Sequence, residues 1–322
     1  MKTNNLTPLK ILAASVAMAC VSVAQVNPEI ILRDTFDVSA ATTDINSEYN
    51  SRQTGTAAPV TYTASVAGTP EGLIELGMPE AAGWLRITST AVLSPNHNFV
   101  EGGDFTIEFD LDPGINDPGG PLSGDWCAIV FGASTQGPFV NASDGMGILF
   151  RNSGDIQVFD GTTAVYGGNG GVSIPTDRPF HVKIQVSTAN FRGSPATVKM
   201  FIDGQQAIIG VQPDGSHVKT TGFRANYITL ESYAWPGPWV DLIDNLTITA
   251  TPCIKAEPGF ATAVAGLQSD EITVTIPRQL NAGKSAEVVV QSADPSIAVP
   301  VGADASGALK LVFEADGQTS KT

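Results

Sequence analysis

The stretch Phe105-Thr106-Ile107-Glu108-Phe109-Asp110-Leu111-Asp112 decides the reading of this chain. Its apolar residues fall on one face of an extended strand and its polar residues on the other, which is the mark of a half-buried antiparallel strand. Outward from it the pattern recurs. Phe180-His181-Val182-Lys183-Ile184-Gln185-Val186-Ser187 alternates in the same way, and so does Ala196-Thr197-Val198-Lys199-Met200, running on to Ile202-Asp203-Gly204. Turn signals punctuate these runs: Asp112-Pro113-Gly114, Asp160-Gly161, Asp203-Gly204, Asp214-Gly215 and Pro236-Gly237-Pro238. After the first 24 residues no window sustains a 3.6-residue apolar stripe. About a dozen short strands between residues 30 and 250 imply an all-β chain built from two packed sheets.

The 322 residues are 42% hydrophobic and 15% charged, enough apolar material for a large core and too little charge for wholesale disorder. The formal net charge is −15. Nucleic acid and anionic membranes would be repelled, which excludes both as main partners.

The first 24 residues read as a secretory signal. Lys2 and Lys10 open it, Ile11 to Val23 is apolar or small, and Ser22-Val23-Ala24 predicts cleavage before Gln25. The apolar run is shorter than the ~20 residues of a membrane span, so no membrane insertion is expected. The expected location is therefore outside the cell or at its surface, with lipid attachment at Cys20 as the alternative. Beyond the leader, Cys127 and Cys253 remain, and sequence leaves open whether they pair or stay as two buried thiols. No cysteine or histidine spacing suits zinc.

A boundary is expected near Thr251-Pro252, giving a first domain over 25–251 and a second over 252–322. The second carries Glu271-Ile272-Thr273-Val274-Thr275-Ile276, Ala286-Glu287-Val288-Val289-Val290 and Leu309-Lys310-Leu311-Val312-Phe313. That spacing suggests an immunoglobulin-like sandwich, although such domains usually run to about 100 residues. Either a complete small β domain or one cut short fits.

Several segments of the first domain resemble concanavalin A-like (laminin G-like) jelly rolls of secreted bacterial proteins. They are Leu32-Arg33-Asp34-Thr35-Phe36-Asp37, Gly103-Asp104-Phe105-Thr106-Ile107-Glu108-Phe109, Phe180-His181-Val182-Lys183-Ile184, Val198-Lys199-Met200-Phe201-Ile202-Asp203-Gly204 and Leu242-Ile243-Asp244-Asn245-Leu246-Thr247-Ile248. Together they span roughly residues 30 to 250. The resemblance implies a curved sandwich whose concave sheet carries carbohydrate in many relatives. Lectins, glucanases and adhesion modules share that fold, and fold alone does not select among them.

Three groups of residues could carry chemistry. Glu108, Asp110 and Asp112 are spaced i, i+2, i+4 on one strand face, and similar glucanases use a Glu-x-Asp-x-Glu strand. Here the third acid is the shorter Asp112. The outer two Cα atoms would lie about 13 Å apart, against the 5–5.5 Å carboxylate separation of retaining hydrolysis; the alternative is a solvent-facing acidic edge. Asp244 shares parity with Leu242 and Leu246 if its strand is regular, which would drive a carboxylate into the core. The resemblance implies a structural calcium between first and last strands, with Asp244, Asp34 and Asp37 as oxygen ligands. Backbone N–H groups, an outward-turning bulge or an Asp-Asn turn cap are the other solutions. Tyr233-Ala234-Trp235-Pro236-Gly237-Pro238-Trp239 holds two of the four tryptophans. Prolines rigidify such a segment, and flat rings suit the C–H faces of sugars. Trp235 and Trp239, with Tyr233 and Glu231, are the candidate polysaccharide contacts, and Lys183 is a further one; the tryptophans would otherwise plug the end of the sandwich. His97, His181 and His217 are scattered, and His181 is expected on a polar surface. Asn141-Ala142-Ser143 and Asn245-Leu246-Thr247 are glycosylation sequons of a kind that arises by chance.

Three functions follow as expectations. The chain is a noncatalytic carbohydrate-binding or adhesion module; or a glycoside hydrolase or lyase using the Glu108 strand; or a structural segment of a larger exported surface protein. A second glutamate partner would mark the enzyme, and the Glu108 strand lacks it.

Overall fold

The computed structural model describes residues 14–16, 28–39, 42–64, 73–76, 83–87, 91–97, 99, 104–112, 126–137, 140–141, 144–151, 153–172, 174–188, 195–221, 227–233, 241–250, 255–257, 261–263, 271–276, 285–291, 299–314, 318 and 320–322. Strand makes up 58% of the structure and helix 2%, so the alternating pattern does mark strands. Among the described residues the one helix is Tyr49–Arg52, and no helix is long and apolar enough to cross a membrane. Two compact units divide the chain: residues 27–252, and residues 253–322 grouped with 1–26.

The larger unit is a two-sheet antiparallel sandwich. A seven-stranded sheet runs in the order Thr163–Gly168, Ile156–Asp160, Met146–Arg151, Trp126–Ala133, Tyr227–Tyr233, Ala91–Pro95, Tyr62–Ala64. An eleven-stranded sheet has Phe105–Asp112 at its centre. Phe180–Thr188 and Ala196–Ile202 lie to one side of it, Asp241–Ala250 and Gly83–Ile87 to the other, and Glu29–Asp34 also pairs with Asp241–Ala250. The Asp203-Gly204 turn joins Ala196–Ile202 to Gln205–Ala207 with φ of 48° and 79°. Positive φ at both positions is what a tight hairpin twisted like its strands requires, and Asp-Gly tolerates it.

Phe105, Ile107, Phe109 and Leu111 face inward, each at most 3% exposed. They meet the inward face of the other sheet through edge or tilted aromatic contacts. Phe105 packs on Phe131 and Phe109 on Phe150, and Phe150 also meets Phe180, each pair with ring centroids 6.3 Å apart. Such tilted pairs add about 0.5–1.5 kcal/mol beyond area burial. Cys127 lies buried in this same core, and Cys253 falls outside the described residues.

The last strand of the sandwich departs from the regular parity expected for it. Asp244 pairs with Asp110, but Thr247 pairs with Glu108, and Asn245 in between has φ 53°. One extra residue is absorbed there as a bulge, which reverses which residues face inward. Ile243, Leu246 and Ile248 enter the core, whereas Leu242 and Asp244 turn to the outer side. Asp244 is therefore not driven into the apolar core.

The smaller unit contains the hairpin Ser285–Gln291 with Ala308–Glu314, and a three-stranded sheet ordered Lys255–Glu257, Thr273–Thr275, Ser320–Lys321. Ala261–Ala263 pairs with Ala14–Val16. Val274, Ile276, Val288, Val290 and Phe313 form its buried cluster. No immunoglobulin-like pair of facing sheets is shown among the described residues.

Candidate functional site

The strand Trp126–Ala133 is apolar at nearly every position because it is buried on both faces. Cys127, Ile129 and Phe131 face the sandwich core, while Trp126, Ala128 and Val130 face outward and are buried by Val140 and Leu149. The chain after the strand folds back to make this second layer. Val140 lies so close over Gly147 that a Cβ at 147 would run into its carbonyl oxygen. Gln136 Nε2 donates to Thr63 Oγ1 (2.7 Å) and to the Ser94 carbonyl (3.3 Å), and the Ser134 N–H donates to Asp144 Oδ1 (2.8 Å).

Glu231 lies beneath this cover. Register with Ala128 and Val92 sets it on the outer face of the seven-stranded sheet, where it is 0% exposed. The Val140 N–H donates to its Oε2 (3.1 Å), while Oε1 has no hydrogen-bond partner among the described residues. Burial pushes the carboxyl up to about 8, and the Val140 N–H opposes this only in part. Glu231 is therefore a protonated acid at neutral pH, able to donate as well as accept. Two residues earlier on the same face, Thr229 is also 0% exposed, and its hydroxyl likewise has no partner among the described residues. Tyr233 registers opposite Trp126 at the end of this strand. Trp235 and Trp239 lie outside the described residues; the strands before and after them, Tyr227–Tyr233 and Asp241–Ala250, belong to different sheets.

Glu108, Asp110 and Asp112 occupy the outer side of the other sheet. Glu108 Oε1 pairs with Lys183 Nζ at 2.6 Å. Asp110 Oδ1 meets His181 Nδ1 at 2.8 Å, and its Oδ2 accepts from Asn245 Nδ2 at 2.9 Å; Asp112 is buried. Glu108 and Asp110 thus each hold their own cross-strand partner. Lys183, the further candidate contact, is the partner of Glu108 and lies on the other sheet from Glu231.

Of the proposed metal ligands, Asp34 is 0% exposed and surrounded by donors. Its Oδ1 accepts from the Phe36 N–H (3.0 Å) and Arg52 Nε (2.8 Å), its Oδ2 from Gln53 Nε2 (2.8 Å) and the Tyr62 hydroxyl (3.0 Å). The Arg52 guanidinium also donates to the Ser47 and Ile45 carbonyls. Burial, and then the Asp34 carboxylate, raise the Tyr62 phenol well above its ordinary range. With four donors in place, Asp34 has no lone pair left for a cation, which corrects its assignment from calcium ligand to buried ion-pair partner. Asp37 is exposed, and Asp244 accepts from the Asn245 N–H (2.7 Å) and Nδ2 (3.1 Å). Among the described residues no three His, Cys, Asp or Glu side chains converge as a metal site requires.

Sequence reasoning missed Thr229 and Val140. The alternation Ile228-Thr229-Leu230-Glu231 holds the signal for Thr229. Nothing local marks Val140, whose role comes from a fold-back. A second buried cluster also went unread: Asp160 of the seven-stranded sheet ion-pairs with Lys219 and hydrogen-bonds with His217 Nε2 (2.9 Å), both of the other sheet. Burial acts to raise the Asp160 carboxyl, but hydrogen bonds from Lys219 and His217 outweigh it and hold the group below the usual carboxylate range.

No protein-family model matches the sequence, and no curated protein matches it. Solved structures share its outline weakly. The chain is similar to the alginate lyase Aly36B (12% identity, TM-score 0.42, covering 69% of this chain and 96% of that one). It is also similar to the carbohydrate recognition domain of Emp46p in its metal-free form (10% identity, TM-score 0.39, 65% and 94%). A third likeness is to domain 4 of AbnA, an extracellular arabinanase from Geobacillus stearothermophilus, in complex with arabinotriose (17% identity, TM-score 0.41, 69% and 94%).

Proposed function

We propose that this chain is an exported, noncatalytic carbohydrate-binding β-sandwich that recognises polysaccharide at the Tyr233 end of its seven-stranded sheet. The observation that carries the reading is the register of Tyr233 against Trp126. It brings the strand that leads into the Trp235 and Trp239 segment beside a third tryptophan. Flat aromatic rings held by a proline-rich segment offer apolar faces to sugar C–H groups at small entropic cost. Export is supported by the basic, apolar, small-residue order of the first 24 residues. A noncatalytic role is supported by the separate pairing of Glu108 with Lys183 and of Asp110 with His181, since hydrolysis needs two carboxyl groups facing one bond.

The test uses residues 25–322 in affinity electrophoresis through gels containing soluble polysaccharides. Retardation of the wild type, lost in Trp235→Ala/Trp239→Ala with an unchanged circular dichroism spectrum, is the expected result. Release of reducing sugar by the wild type that disappears in Glu108→Gln would replace this reading with a hydrolase.

A further inference from the structure

We infer that Thr229 and Glu231 form a buried polar pair kept for the hydroxyl groups of an uncharged glycan, which reaches them by displacing Val140. This rests on the carbohydrate-binding reading above and names the ligand class. Two side chains on one face of one strand, both fully buried, leave a hydroxyl and a carboxyl oxygen without partners among the described residues. Unsatisfied buried polar atoms are rare in folded proteins because each costs stability that an apolar residue would not. Their surroundings could have been wholly apolar: Ala128, Val130 and Val140 already are. The pair therefore opposes the packing of its own layer, which is how residues reserved for a ligand differ from residues that hold a fold.

The spacing and chemistry narrow the ligand. Residues i and i+2 of a strand stand about 6.6 Å apart, a separation that two hydroxyl groups across a sugar ring or a glycosidic linkage can bridge. Thr229 Oγ1 and a protonated Glu231 each donate and accept, as a sugar hydroxyl does. Among the described residues a polyanion finds no unengaged cation on this face. Arg151, at the edge of the same layer, is engaged by Gln157 Oε1 at 2.9 Å, and the chain as a whole carries −15. A cation would meet a single carboxyl group there. Val140 is the gatekeeping contact: among the described residues its N–H is the one donor on Glu231, and a ligand hydroxyl can take its place.

The experiment compares Thr229→Val, Thr229→Ser and Glu231→Met with wild type for residues 25–322. Melting temperature and retardation by a soluble neutral β-glucan and by a polyuronate are measured. The expected result is that Thr229→Val melts at or above the wild-type temperature yet binds the β-glucan at least tenfold more weakly. Thr229→Ser, which keeps the hydroxyl, binds like wild type, Glu231→Met loses binding, and the polyuronate retards none of them. If Trp235→Ala/Trp239→Ala abolishes glucan binding while Thr229→Val and Glu231→Met retain it, the carbohydrate-binding reading stands and the Thr229–Glu231 pair falls. If the polyuronate is bound as tightly as the glucan, the ligand class is wrong. If the wild type binds neither, both readings fall.

Discussion

Replacing Glu231 by Gln should stabilise this protein at neutral pH and have little effect in acid. The carboxyl group titrates near 8 when folded, against an ordinary value of 4.5. Between those values the folded state holds a proton that the unfolded chain has released, so stability falls as pH rises through the window. Each pKa unit is worth about 1.4 kcal/mol. The cost is therefore near zero below pH 4.5, about 3 kcal/mol at pH 7, and about 5 kcal/mol once pH exceeds 8. Glutamine keeps the shape, can accept the Val140 N–H through its amide oxygen, and cannot ionise. Urea unfolding of wild type and Glu231→Gln, followed by tryptophan fluorescence at pH 5 and pH 7, isolates this group because the other titrations cancel in the difference. The expected gap is within about 1 kcal/mol at pH 5 and widens to about 3 kcal/mol in favour of the variant at pH 7. A gap that does not change with pH, or one favouring wild type at pH 7, would show that Glu231 is not buried as described.

Asp160→Asn should destabilise the sandwich by about 2–3 kcal/mol near neutral pH, because His217 and buried Lys219 lose their carboxylate. Since the folded carboxyl is held low, that contribution is present above about pH 4 and lost as pH falls through the folded value, so denaturation curves of wild type and variant should converge in acid. Asp34→Asn should cost about 3–5 kcal/mol by stranding Arg52 in the interior. A chelator should leave the melting temperature of the wild type unchanged, as scanning calorimetry would show, because the Asp34 oxygens are already occupied by protein donors. Gly147→Ala should lower the melting temperature by several degrees, read by the same scan, as the new methyl pushes Val140 off Glu231.

How much of this was legible in the sequence depends on whether the determinant is local. Alternation in Phe105–Asp112 and Phe180–Thr188 is a backbone-period signal, so strand identity and inward faces could be read directly. Asp203-Gly204 fixed a hairpin for the same reason. Parity failed where one residue was inserted without a sequence mark: the bulge at Asn245 moved Asp244 outward and removed the reason for expecting a cation beside it. Burial of Glu231 was illegible because its cover, Val140, arrives from a fold-back about 90 residues away in sequence. The register with Ala128 and Val92 sets Glu231 on the outer sheet face, and only tertiary structure makes that face an interior. The Asp34 cluster was misread for a similar reason: Arg52, Gln53 and Tyr62 are distant along the chain, and the acid pattern alone cannot tell a metal ligand from an ion pair.

Under the proposed function the chain binds polysaccharide without cleaving it. Isothermal titration of residues 25–322 with soluble β-glucan oligosaccharides tests this most directly, since one trace reports both saturable binding and turnover. The expected result is a saturating isotherm with a dissociation constant near the millimolar range, about −4 kcal/mol, absent in Trp235→Ala/Trp239→Ala, with a baseline that returns to zero after every injection. Sustained heat from turnover, or an isotherm that is unchanged when both tryptophans are removed, would contradict it.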